Sequence, residues 1–235
     1  MSKLYKPLLV ICISFFFHFS LKADHIAGSD LTYTCTSTPG VYQLTYVFYR
    51  TCSGIAICPS GCNSTCTFTL NINGADATCN GTSFGTVTLN LVSVSDADFN
   101  LLCPNSKSIC NNMGCVTAGA YSPGIEKYIF QGNVNLGSGS GIPTSCCKIN
   151  ISYSSCCRSA EIVTGSTWQP YYTYCTINRC IAPCASSPKY SNDAIFLLCS
   201  GQPVIFNMGA IDPLLKKNEK RMKYKLQVEV YTILT

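Results

Sequence analysis

Residues 67–73 read Thr67-Phe68-Thr69-Leu70-Asn71-Ile72-Asn73, three apolar side chains alternating with four polar ones. Neighbouring side chains on a β-strand point to opposite faces, so this stretch buries Phe68, Leu70 and Ile72 and turns the rest to water. The same pattern recurs along the chain. Val87, Leu89 and Leu91 alternate with Thr86, Thr88 and Asn90. Tyr128, Phe130, Val134 and Leu136 share one phase, with Lys127, Gln131, Asn133 and Asn135 opposite. Ile149, Ile151 and Tyr153 oppose Lys148, Asn150 and Ser152. One face to bury and one for water is what antiparallel sheets require. Enrichment in Tyr and Thr predicts further strands over 31–36, 42–50 and 171–177. Turn signals lie between them at Pro39-Gly40, Asn73-Gly74, Asn80-Gly81, Ser122-Pro123-Gly124 and the Gly/Ser run 137–141. The expected fold is all-β: an antiparallel β-sandwich, either one large sandwich or two small ones stacked. The 137–141 run reads equally as a subdomain boundary or as a hairpin loop.

Seventeen cysteines crowd the stretch from Cys35 to Cys199, and the whole chain has two histidines. Cysteine at that density is either a disulfide framework or a set of thiolate metal sites, and the compartment decides which. Lys3 and Lys6 precede the apolar run 8–21, and Ala23 offers a small residue for cleavage before Asp24. This is the layout of a secretory signal peptide. An apolar run of about 14 residues falls short of the roughly 20 that span a bilayer. The residues before Cys12 lack the small side chains of a lipoprotein site. The expected organisation is a signal peptide over 1–23, a β-rich stapled module over 24–213 and a basic tail over 214–235. The expected location is secreted or at the cell surface, with the membrane met only during export.

The formal charge of +5 disappears from the body when it is partitioned. Residues 24–213 carry seven basic and nine acidic side chains, while 214–235 carry six basic and two acidic. A nearly neutral body has no face for tracking phosphates, so nucleic acid is not an expected partner.

No two cysteines are separated by two residues, which removes the thioredoxin-like motif and the usual paired zinc knuckle. In an oxidising compartment the disulfide candidates are Cys35, Cys52, Cys58, Cys62, Cys66, Cys79, Cys103, Cys110, Cys115, Cys146, Cys147, Cys156, Cys157, Cys175, Cys180, Cys184 and Cys199. Most sit in the turn-rich segments 52–66, 103–115 and 175–184. Members of the vicinal pairs Cys146-Cys147 and Cys156-Cys157 are expected to bond elsewhere rather than to each other. The phase of Ile149 and Ile151 predicts Cys147 inward and Cys146 outward. Seventeen is odd, so one thiol is expected to stay free or to link two chains as a dimer.

Catalytic readings find little material. His18 leaves with the leader, and His25 stands beside the new N-terminus, a poor place for a nucleophile's base. Asp96 and Asp98 are the close acidic pair, read as a solvated turn. Trp168 with Gln169, Pro170, Tyr171 and Tyr172 could form an aromatic platform for sugar or simply pack. No cofactor, metal site or catalytic residue is expected.

Specific motifs then line up with a known family. The opening run 24–35 (Asp-His-Ile-Ala-Gly-Ser-Asp-Leu-Thr-Tyr-Thr-Cys) resembles the start of large exported surface proteins of gliding bacteria. Those proteins carry PKD-type repeats and a gliding-motility-associated C-terminal sorting domain. The likeness continues at Tyr46–Cys52, at 124–132, at Ile151-Ser152-Tyr153 through Cys156-Cys157-Arg158, at 187–190, at 199–203 and at 207–213. It implies an N-terminal β-rich module of a secreted adhesin or surface-filament protein, exported through Sec and the type IX system. It also implies a framework of Cys35, Cys52, Cys156, Cys157 and Cys199, with the clustered loop cysteines as additions. Where such chains continue into an acidic calcium-binding turn, Asp212-Pro213 is followed here by Leu214-Leu215-Lys216-Lys217. A truncated or frameshifted gene is the expectation, and the other reading frames downstream would test it. The expected function is non-enzymatic, adhesive or structural, toward an unknown extracellular ligand or surface polymer. A secreted carbohydrate-binding or carbohydrate-active module is the alternative.

Overall fold

Inward side chains along two central strands meet in register: Tyr42 faces Val134, Leu44 Gly132, Tyr46 Phe130, Phe48 Tyr128 and Arg50 Glu126. The computed structural model describes residues 26–51, 57–58, 65–96, 100–101, 125–155, 170–193, 196–197 and 209–212. Seven long strands run through them: β1 (Ile26–Cys35), β2 (Val41–Thr51), β3 (Thr67–Gly74), β4 (Ser83–Asp96), β6 (Ile125–Asn135), β7 (Lys148–Ser155) and β8 (Tyr171–Asn178). Four short ones join them: β5 (Asn100–Leu101), β9 (Lys189–Tyr190), β10 (Phe196–Leu197) and β11 (Ala210–Ile211). No helix occurs among the described residues.

The long strands form one sheet in the order β1-β2-β6-β4-β3-β7-β8, every neighbour antiparallel. β10 pairs with β5 in parallel, and β11 pairs with β9 antiparallel. The sheet curls until its edges approach. Ser29 Oγ lies 2.6 Å from the Tyr171 hydroxyl, and Tyr33 donates its hydroxyl to the Thr176 carbonyl at 3.4 Å. The chain is therefore all-β, antiparallel in its main sheet and rich in disulfides. A single large core lies between the facing halves of that sheet. The 137–141 run joins β6 to β7, which are not neighbours, and so crosses the ends of β4 and β3.

The inward phases are the alternations of the sequence. Leu70, Leu89, Tyr128, Phe130, Ile149 and Ile151 are fully buried. Phe68 centres an aromatic group, with ring centroids 4.8 Å from Tyr46, 4.6 Å from Tyr153 and 5.2 Å from Phe130. Gly132 makes this packing possible. A Cβ there would stand 2.8 Å from Leu89 Cδ2 and 2.9 Å from the Thr88 carbonyl. A bulge between Leu91 and Ser93 moves the inward phase of β4 from Leu91 to Val94. Asn73-Gly74 is not a turn but the end of β3, with Gly74 paired to Ile149. The reversal follows it over 75–81, where Gly81 takes φ 76°.

Four bridges join described cysteines: Cys35–Cys184, Cys58–Cys66, Cys79–Cys146 and Cys147–Cys180. Their Cα separations of 5.1, 5.3, 5.6 and 5.2 Å are ordinary for disulfides. Cys146 and Cys147 thus bond to different partners, but their facing is opposite to the strand-phase expectation. Cys146 is fully buried and Cys147 only partly. The strand begins at Lys148, and Cys146 donates its N–H to Pro143 in a turn, so the period of two does not extend back to this pair. Cys35 takes Cys184 as partner, which mixes the expected framework with the expected additions. Cys175 lies within β8 and not in a loop. Candidates Cys52, Cys62, Cys103, Cys110, Cys115, Cys156, Cys157 and Cys199 lie outside the described residues.

Behind β8 the chain turns back along β1. Ser187 donates its N–H to the Tyr33 carbonyl at 2.9 Å, and its Oγ accepts from the Tyr33 N–H at 2.9 Å. Ser186 Oγ accepts from the Cys35 N–H at 3.1 Å. Edge groups that would otherwise invite another strand are covered. Arg179 fastens the same end: its guanidinium donates to the carbonyls of Leu136, Ile142, Pro143 and Cys146.

Candidate functional site

The outward phase of β8 presents Tyr172, Tyr174 and Thr176, which lie opposite Ser154, Ser152 and Asn150 of β7. Asn71 and Asn73 of β3 continue the same face beyond Ser152 and Asn150. Tyr172 is 54% exposed and Tyr174 56%, values normally found for polar residues. Their rings stand 5.5 Å apart and tilt by 32°. The Thr176 hydroxyl donates to Asn150 Oδ1 at 2.6 Å. Around the tyrosines the accessible face is built of amides and hydroxyls, Ser152 itself being buried, and Lys148 marks one end of it. Two adjacent aromatic surfaces offer a flat apolar rest, and the neighbouring amides and hydroxyls both donate and accept. Such a face suits an uncharged polyol better than an anion or an apolar peptide.

Of the aromatic cluster read in the sequence, Trp168 and Gln169 lie outside the described residues, and Pro170 is exposed. Tyr171 turns the other way, against the core and onto Ser29. Tyr174 was not part of that cluster. The signal for it is its spacing of two from Tyr172, in the phase opposite Ile177. His25 and Asp98 lie outside the described residues, while Asp96 ends β4.

Two polar groups that the sequence reading did not single out lie elsewhere on the sheet. At one end of the core, Arg50 donates through Nε to Glu126 Oε2 at 3.0 Å, with its terminal nitrogen 2.9 Å away. The Tyr128 hydroxyl donates to the same oxygen at 2.7 Å. Arg50 is 2% exposed and Glu126 not at all. Burial, with the bond to Glu126, holds the Tyr128 hydroxyl well above its usual pKa. On the outer face of β1, β2 and β6, Lys127 Nζ lies 2.5 Å from Asp193 Oδ1, which also accepts from the Tyr49 hydroxyl at 3.2 Å. Asp30 shares this cluster. Burial first, then the charge of Asp193, pushes its carboxyl up from 3.8 to about 6, while Lys127 pulls the other way.

Cys175 is the cysteine without a bridge among the described residues. It faces Ile151 across the strand pair and packs against the core. Burial pushes its thiol up to about 12. Since the thiolate is the reactive form, native protein at pH 8 is expected to leave Cys175 unlabelled by iodoacetamide. Unfolding with the bridges intact should expose it. Labelling should rise only as pH approaches 12, because a raised thiol pKa keeps the proton on through the neutral range. Rapid native labelling at pH 8, read by peptide mass, would contradict this packing.

Among the described residues, no three His, Cys, Asp or Glu side chains are grouped to hold a metal ion. Compared with protein-family models, curated proteins and solved structures, the chain matches none at a significant level. The fold and these clusters are therefore read on their own chemistry. Multiple disulfides fit an extracellular location.

Proposed function

We propose that the chain is an exported, non-enzymatic module that serves adhesion or structure at the cell surface. The reading matches what the likeness to the N-terminal modules of PKD-repeat surface proteins implies. The observation that carries it is the staple Cys35–Cys184, which ties the first strand of the sheet to the segment behind the last. A closed, cross-linked sheet resists proteases and keeps its shape without cellular upkeep, as a surface module must. The nearly neutral body supports contacts with uncharged polymer rather than nucleic acid. Expressed with residues 1–23 in a bacterium carrying the type IX system, the chain is expected outside the cytoplasm with its bridges formed. Recovery of soluble, fully reduced protein from the cytoplasm alone would count against the reading.

A carbohydrate-binding role is the second reading, and the Tyr172–Tyr174 pair favours it. Base and sugar rings stack on aromatic faces with about 1–3 kcal/mol at stake per ring in nucleic-acid systems, and sugar C–H faces use the same surface. Replacing both tyrosines by alanine removes two half-exposed rings from one strand, so the stability cost is expected to stay within about 2 kcal/mol. Glycan-array binding is expected to fall at least about tenfold in that variant. Unchanged glycan binding, or none in the parent protein, would leave the structural role alone.

A further inference from the structure

We propose that Lys127 and Asp193 are joined by an intramolecular amide bond between their side chains, formed within the folded protein with Tyr49 as helper. The proposal is independent of the adhesive reading. Three observations carry it. Lys127 Nζ and Asp193 Oδ1 are held at 2.5 Å, which sets the amine against the carboxyl group whose Cγ it would attack. Asp193 Oδ2 is buried and has no hydrogen-bond partner, an unusual state for a charged carboxylate and a natural one for an oxygen that leaves. Both side chains are largely covered, at 23% and 14% exposure, beside an apolar group of Ala27, Tyr49 and Ile125, with Val47 packed on it.

The balance of the reaction is simple. One proton passes from the Lys127 ammonium to the Asp193 carboxylate, leaving a neutral amine beside a carboxylic acid. Nζ then attacks Cγ of Asp193, and the negative charge that develops on Oδ1 is met by the Tyr49 hydroxyl, which already donates to it. The C–Oδ2 bond breaks, Oδ2 leaves as water, and the second proton lost from Nζ completes that water. No oxidant or other reactant is needed. Holding the two groups together supplies what free amines and acids in water lack, an effective concentration of about 10⁵–10⁸ M. The product would anchor the segment behind β8 to β6, while Cys35–Cys184 anchors it to β1.

The test is the intact mass of the folded full-length protein after complete reduction. It is expected to fall short of its sequence by the mass of one water. A tryptic digest is expected to contain a branched peptide joining the segments around Lys127 and Asp193, with no cleavage after Lys127. Lys127→Met and Asp193→Ala should each restore the full mass. Tyr49→Phe, which removes the hydroxyl that donates to Oδ1, should slow formation by about a hundredfold while the disulfide pattern stays native. Full mass with normal cleavage after Lys127 in folded parent protein would overturn the proposal, and this readout stands even if a variant fails to fold. Loss of water that persists in Lys127→Met would overturn it equally.

Discussion

Glu126→Ala is expected to destabilise the protein by about 3–5 kcal/mol, more than any other single side-chain replacement argued from this fold. The magnitude follows from what is left behind. Glu126 is wholly buried, and its Oε2 receives both Arg50 and the Tyr128 hydroxyl. Removing the carboxylate takes the buried charge partner away from Arg50, whose guanidinium is itself buried. The attraction within the pair is not itself the source of the loss. A variant with Arg50→Met, Glu126→Leu and Tyr128→Phe together removes the charges and the dependent hydroxyl at once, and should recover more than half of it. Denaturant unfolding of the two variants with disulfides intact provides the comparison. A cost below about 1 kcal/mol for Glu126→Ala would mean that this end of the core is hydrated.

Removing the Cys35–Cys184 bridge as a pair of serines is the second large effect. The bridge closes a sequence separation of 149, for which the chain-entropy argument gives about 5 kcal/mol. Cys58–Cys66 closes a separation of only 8, for which the same argument gives about 2.5 kcal/mol. Loss of Cys35–Cys184 also frees the segment whose Ser186 and Ser187 cover β1, so edge pairing between molecules should follow. Size-exclusion chromatography of the Cys35/Cys184 variant is expected to show association that the Cys58/Cys66 variant lacks. Equal thermal midpoints for the two variants would argue against a closing role for the longer staple.

Much of this fold was legible because a period of two survives wherever one face is buried. The alternations at 67–73, 86–91 and 148–153 fall on strands, and that at 127–136 overruns β6 only at Leu136; the three segments marked by Tyr and Thr also fall on strands, save Thr36. The buried pair was partly legible too. Arg50 keeps the inward phase of Tyr46 and Phe48, and Glu126 that of Tyr128 and Phe130, so each is a polar residue in a buried row. Their meeting was not legible, because the order β2-β6 joins strands that are not consecutive. The same holds for Lys127 and Asp193, which the chain brings together only by folding back behind β8. Phase failed at Cys146 and Cys147 because a turn precedes Lys148 and resets the facing. Disulfide partners stayed hidden for a related reason: spacing along the chain says nothing of which loops share an end of the sheet.

Peptide mapping of the exported protein by mass spectrometry, without reduction and with free thiols blocked first, tests the stapled, closed sheet most directly. The expected bridges are Cys35–Cys184, Cys79–Cys146, Cys147–Cys180 and Cys58–Cys66, with Cys175 blocked only after unfolding. A Cys146–Cys147 bridge, or Cys35 joined to any partner but Cys184, would contradict it.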